Sequence, residues 1–338
     1  MTAAATSPQP LGPVTEPLAV PLELPERPRN IWRDAWDRLR RRPANYVYAA
    51  IVVIYVLIGL TAFFPPLGER WWVAENKRPI PLYEQTVGES YQRPSLRAGP
   101  SLWLGADIGG RSVLWRLLYG TRIALTVATL ASILTIVLGT VLGIVAGYFG
   151  GWIDSAIIWL FSTVSSVPDI LLMTALAYAV KERSFSFHGE EYKLTGIPTI
   201  VIALGLTSWV GLCRLMRGEV LKHRDRDYVA AARAVGVGTP RILFRHILPN
   251  VFHYIIITFT LGIVGFIQYE VVLSFLGLGI TDRPSWGRMI DDAKLELMRG
   301  VWWQLAAATV AIFLLSLALG ILGDELRDAL DPRLRGVD

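Results

Sequence analysis

A bilayer's hydrocarbon core is crossed by about 20 helical residues, and this chain of 338 residues contains several runs of that length with little or no charge. They lie at about 46–64, 123–153 continuing past Asp154 to Val180, 194–213, 247–269 and 300–323. The second run is too long for one helix. The stretch GYFGGW, Gly147 to Trp152, places a turn inside it, which brings the expected spans to six, at about 46–64, 121–146, 154–180, 196–216, 250–277 and 301–323. Backbone polar groups in lipid must be satisfied within the segment, so the fold class expected is an all-α membrane protein.

Charge narrows the partners. The formal net charge is +5, but the Lys and Arg residues flank the apolar runs instead of forming one basic face. That pattern fits anchoring at a lipid surface and gives no support to a nucleic-acid partner. Cys213 is the single cysteine, so neither an internal disulfide nor a cysteine metal site is expected. His188, His223, His246 and His253 have no HExxH or other paired-ligand spacing, and no metal is assigned. No side chain reads as a nucleophile with an adjacent base, so no catalytic residue and no enzyme activity is assigned. No GxxxxGK[ST] phosphate loop occurs either, so no cofactor is expected on this chain.

Residues 1–30 are rich in proline and read as a disordered tail. Residues 31–43 place Ile31, Trp32, Ala35, Trp36 and Leu39 at helical spacing among five arginines; this is either an interfacial amphipathic helix or a solvated basic flank. A cleaved secretory signal is not expected, because the first apolar run starts only at Tyr46 and ends in AFFPP. The remaining divisions are 44–120, a first span with an outside segment; 121–323, a core of five spans; and 324–338, a tail. The positive-inside rule puts both termini, and the loop 217–249 with Arg217, Lys222, Arg224, Arg226, Arg233, Arg241 and Arg245, in the cytoplasm.

Within that loop lies DYVAAARAVGVGTPRILFRHILPN, residues 227–250. Asp227 is placed to cap a short helix, YVAAARAV, and Gly236 to end it, since glycine adopts the left-handed conformation common just past a helix. Thr239 and Pro240 then read as cap and first turn of a second helix, RILFRHIL, with Pro249 at the entry to the fifth span. A helix this short is marginal alone. It needs a partner, or it rests on the membrane face.

The same run resembles the cytoplasmic signature loop of binding-protein-dependent ABC transporter permeases: Glu-Ala-Ala, three residues, Gly, then an Ile-Leu-Pro ending. Ala231, Ala232, Gly236, Ile247, Leu248 and Pro249 match, and Ala230 stands where Glu is usual. WLGADIGGRSVLWRLLYGTRIAL, AGYFGGWID, EVVLSFLGLGI with PSWGRMI, and GDELRDALDPRLRG are similar to the C-type subunit of the oligopeptide, dipeptide and nickel permeases. The usual Leu-Gly-Thr-Asp and Leu-Gly-Arg-Asp appear as LGADIGGRS, and the outside segments 65–100 and 181–195 look longer than typical.

The resemblance implies the type I ABC importer permease fold in a bacterial inner membrane. Its implied partners are two ATPase subunits carrying ATP and Mg, a homologous second permease and an extracytoplasmic substrate-binding protein. It also implies that the 228–235 helix, with Asp227, Tyr228, Ala230, Ala231, Ala232 and Arg233, docks in an ATPase groove, and that 241–248 passes the motion to span five. Peptides are the implied solute, with nickel chelates, opines and peptide antibiotics as alternatives. An ion-coupled secondary carrier would be expected to show internal repeats, and none is convincing.

Ionisable residues at membrane depth are candidates for the solute path. Asp169, which follows Pro168 in SSVPDILL, and Glu270 in YEVVLSF each read equally as path-lining or packing residues. Asp154 and Arg214 lie near span ends and read as snorkelling. The glycines of LGTVLGIVAGYFGG predict close approach between helices.

Overall fold

A computed structural model describes residues 40, 42–61, 82–181, 183–187, 190–194, 196–280 and 283–330. The proline-rich tail, most of 31–43, the first part of the outside segment and residues 331–338 lie outside that range, so the expectations placed on them are not addressed. Among the described residues five helices are long and apolar enough to cross a membrane, and a bent helix pair makes a possible sixth span.

Helix α1 is Pro43–Thr61, and residues 82–112 form an irregular segment that leads into α2, Val113–Phe149. The apolar run predicts a start for α2 near 121, but the helix begins eight residues earlier because Ser112 caps it, its side chain accepting from the Trp115 amide at 3.3 Å. Gly150 and Gly151, with φ of 65° and 58°, make the expected turn into α3, Gly151–Ser165. The single span expected over 154–180 is corrected: α3 and α4, Asp169–Val180, meet at 91°. Pro168 has no amide to donate and disfavours helical backbone at Val167, so the helix breaks there. Segment 181–195 also departs from an all-helical pattern. It holds an antiparallel hairpin, β1 Arg183–Phe187 with β2 Glu190–Leu194, in register Arg183↔Leu194 to Phe187↔Glu190.

The chain continues through α5, Ile197–Arg224, and the short α6, Asp227–Ala234. Helix α7, Thr239–Phe275, is followed by α8, Trp286–Leu297, and α9, Trp303–Leu330. The core is built on α2 and α5, which run parallel. A Cβ on Gly139, Gly143 or Gly147 would stand only 2.9 Å from the Trp209 carbonyl, 2.7 Å from that of Cys213 or 2.7 Å from that of Arg217. Glycine every fourth residue thus lets the two backbones touch, as the sequence predicts. Trp159, Tyr178, Phe313 and Val53 point outward and remain exposed, as side chains facing lipid or another subunit would.

The bundle has two unlike ends. One carries the tips of α2 and α5 with α6; there Arg42, before α1, pairs with Glu325 of α9. At the opposite end the loop 82–112, α8 and the start of α9 form a cap. Trp303 Nε1 donates to the Ala106 carbonyl at 3.0 Å, and Trp286 Nε1 to the Leu117 carbonyl at 3.0 Å.

Candidate functional site: a docking helix and a membrane cavity

Helix α6 is held on one side and bare on the other. Val229 and Ala232 are buried in a cluster with Met216, Val220, Ile242 and Ile247. Ala230, Ala231, Arg233 and Val235 are exposed, Val235 by 79%. Arg233 lies 5.3 Å from the Tyr148 ring centroid, and among the described residues nothing covers Ala230, Ala231 and Val235. Asp227 is not the cap that its position suggests. Arg226 occupies that place in extended backbone with no side-chain cap bond, and Asp227 is the first helical residue, where its charge still meets the positive end of the helix dipole. Tyr228 Oη lies 2.9 Å from His223 Nδ1, and burial raises the phenol's pKa above its usual value.

The end of α6 follows the expectation for Gly236, which has φ 80°. The Gly236 amide donates to the Arg233 carbonyl at 3.0 Å and the Val237 amide to that of Ala232 at 3.0 Å, a Schellman closure that only a left-handed residue permits. Two expectations beyond it are corrected. Thr239 is not a cap but the first helical residue after Gly238. The separate 241–248 helix does not exist as such, because it is continuous with span five in α7. Pro249 lies inside that helix, not at its entry. The preceding segment, Ile242–Ile247, widens to a π turn, which makes room for the proline ring and its missing donor. Ile247 is buried, Leu248 half-buried and Pro249 exposed.

A cavity of about 410 Å³ opens between α2, the α3–α4 elbow, α5 and α7. Its lining includes one acid, Asp169, and one base, Arg214, with the hydroxyls of Ser132, Thr135, Ser165 and Thr207. Arg214 Nη2 donates to Ser165 Oγ at 2.9 Å, and the guanidinium lies 4.8 Å from the Phe161 ring centroid. It therefore lies against the elbow, exposed on the cavity side. Asp154 does find a partner near the α6 end: Arg217 grips it through two bonds of 2.5 and 2.6 Å.

Asp169 borders the cavity, whereas Glu270 does not line it. Glu270 is fully buried beneath α8, where Ser274 Oγ donates to its Oε1 at 2.7 Å. Among the described residues no three His, Cys, Asp or Glu side chains gather as a metal site requires.

A third cluster was not singled out from the sequence. In the cap, Asp107 accepts from the Gly109 and Arg111 amides at 2.8 and 2.9 Å, from Arg111 Nε at 2.8 Å and from Arg116 Nη1 at 2.6 Å. Arg116 also binds Asp292 at 3.0 Å. The acid turn in LGADIGG is a visible signal, but the second carboxylate on Arg116, Asp292, lies far along the chain.

Apolar helices of spanning length around a polar cavity, with a half-bare helix at one end, define a membrane permease subunit. Residues 139–336 match the family described as the inner membrane component of binding-protein-dependent transport systems. The dipeptide transport system permease protein DppC of Bacillus subtilis (strain 168) is 34% identical over 90% of this chain and 86% of its own length. The glutathione transport system permease protein GsiD of Salmonella typhimurium (strain LT2) is 34% identical over 94% of this chain and 96% of its own. In fold alone the chain is similar to the MetNI methionine ABC transporter in an inward-facing conformation, with a TM-score of 0.51 at 15% identity, covering 65% of this chain and 98% of that one. The chain belongs to the family of binding-protein-dependent transport system inner membrane components. It is a multi-pass permease subunit of an ABC importer, and membership implies a substrate-binding protein and an ATPase as partners.

Proposed function

We propose that this chain forms half of a path for peptides or peptide-like solutes across a bacterial inner membrane, beside a homologous second permease and above two ATPase subunits that bind ATP and Mg. The observation that carries the reading is the divided surface of α6: Val229 and Ala232 fix it to its own bundle while the other face, with Ala230 and Ala231, is uncovered. The dipeptide and glutathione permeases named above support the solute class.

In this reading the end bearing α6 is cytoplasmic, with both termini on that side, and the cap receives the binding protein. Arg226, Arg233, Arg241 and Arg245 at the α6 end support that orientation. ATP hydrolysis resides on the partner ATPases and this chain is non-catalytic. Closure of the ATPases moves α6, and the movement passes directly into α7 because the two share a buried cluster through Ile242 and Ile247. Such coupling requires only that α6 bind the two ATPase states with different free energies.

The test is Ala231→Trp, which enlarges the exposed face without entering the chain's own core. Reconstituted with its partners, the variant is expected to keep its thermal stability and lose most ATP-driven uptake or co-purification with the ATPase. Wild-type uptake and co-purification would remove the assignment of α6 as the docking element.

A further inference from the structure

The cavity at the α3–α4 elbow contains more polar capacity than the chain itself uses. Ser132 and Thr135 sit on one face near the middle of α2, 1% and 4% exposed, and neither hydroxyl has a hydrogen-bond partner among the described residues. Thr207 Oγ1, also in the lining, bonds back to the Ala203 carbonyl at 2.9 Å and Thr260 Oγ1 to that of Ile256 at 2.9 Å, whereas Thr140 on α2, away from the cavity, is unpaired like Ser132 and Thr135. The oxygens of Ser132 and Thr135 expose no surface to the cavity, so they stand behind its wall. What the cavity leaves open is charge.

Two charges on its wall, Arg214 and Asp169, are exposed and open to a ligand. Arg214 is held by a hydroxyl and a ring, not by a carboxylate, and a guanidinium carries five donors. No side-chain hydrogen bond or ion pair engages Asp169 among the described residues. Three residues along α5 from Arg214, Arg217 and Asp154 neutralise one another, so the chain does pair charges where pairing is structural.

We propose that this cavity is a two-ended subsite for a zwitterion. Arg214 receives the solute's carboxylate and Asp169 its ammonium group. One charge of each sign on the wall matches a molecule with separated, opposite termini and small net charge; a polyanion or a free cation would leave one wall charge repelled. The volume, about 410 Å³, falls within the about 300–1,000 Å³ of small-molecule sites. The proposal rests on the peptide reading above and adds that the solute is gripped by its charged ends inside the membrane.

The test uses the complete transporter, with binding protein, sister permease and ATPases, in liposomes, with alanyl-alanine and glutathione as probes. Arg214→Gln and Asp169→Asn are each expected to lower uptake per ATP hydrolysed about tenfold. Arg214→Lys recovers a large part of the loss. The pair Ser132→Ala with Thr135→Val removes unpaired buried hydroxyls that do not face the solute, so it should raise Tm and leave uptake per ATP at the wild-type value.

If the wild-type complex imports neither probe, the peptide reading falls and this subsite with it. If it imports either one and the Arg214→Gln and Asp169→Asn complexes do so at wild-type yield per ATP, the subsite alone is overturned. A Lys variant no better than Gln also overturns it.

Discussion

The cap and the cavity both carry arginine and aspartate, with Asp107 and Arg116 buried in the cap and Arg214 and Asp169 exposed in the cavity, and they use them in opposite ways. In the cap, Asp107 accepts four hydrogen bonds and Arg116 joins it to Asp292 across α8. In the cavity, Arg214 donates to one hydroxyl, and no partner engages Asp169 among the described residues. The difference separates charges that hold a structure from charges left available to something that passes through. A buried pair stabilises little relative to apolar packing, but breaking it strands a charge at high cost.

The sharpest way to break this comparison is to remove Asp107. Asp107→Ala leaves the Arg116 guanidinium, which is 3% exposed as a residue, without its shortest partner. The expected loss is about 3–5 kcal/mol, read as a large drop in thermal stability in detergent. A loss below about 1 kcal/mol would show that the cap network does not hold the fold.

A smaller effect is expected from Glu296, which neighbours the same network. Burial raises its pKa above the ordinary carboxylate value, with Asp107 and Asp292 adding to the rise and the Ile108 amide and Arg116 opposing it. The folded cap therefore takes up a proton at higher pH than the unfolded chain. Stability from this group rises as pH falls from the raised pKa towards the ordinary value of about 4.3, and it is flat above that window. Glu296→Gln should abolish this part of the pH dependence in thermal melts and leave a more stable protein at neutral pH.

The smallest effect belongs to the cavity. Arg214→Ala is expected to change stability by no more than about 1 kcal/mol, since one hydroxyl bond and one ring contact are lost at an exposed side chain. Melting curves that place Asp107→Ala and Arg214→Ala at equal cost would erase the distinction between the two regions.

The spans are legible in the sequence because apolar length is a local property, and the Gly150–Gly151 turn and the close approach of α2 to α5 follow from glycines at fixed spacing. Helix ends are less so. The start of α2 runs through RSVLWRLLYG, whose Arg116 is tolerated inside only because Asp107 and Asp292 arrive from other segments. The end of α6 is legible through Gly236, whereas its beginning differs by one residue because Arg226, not Asp227, takes the extended cap position. Pro249 misleads as a boundary, since a π turn can absorb it. In the cavity, Asp169 stands out as an acid after a proline. Ser132 and Thr135 do not, because unpaired hydroxyls are recognisable only once the neighbouring helices are in place.

Helix α7 begins against the docking helix and ends beneath the cap, 37 residues later, without a sharp bend. At 1.5 Å per residue it is a rod about 55 Å long. A swing of about 5° about one tip would carry the other by about 5 Å, roughly the distance between two turns of a helix. The π turn at Ile242–Ile247 sits at the end of the rod that packs against α6. Under the proposed coupling, a small angular input at that end becomes a displacement of about one helical turn at the other, and the wall of the cavity lies along the arm.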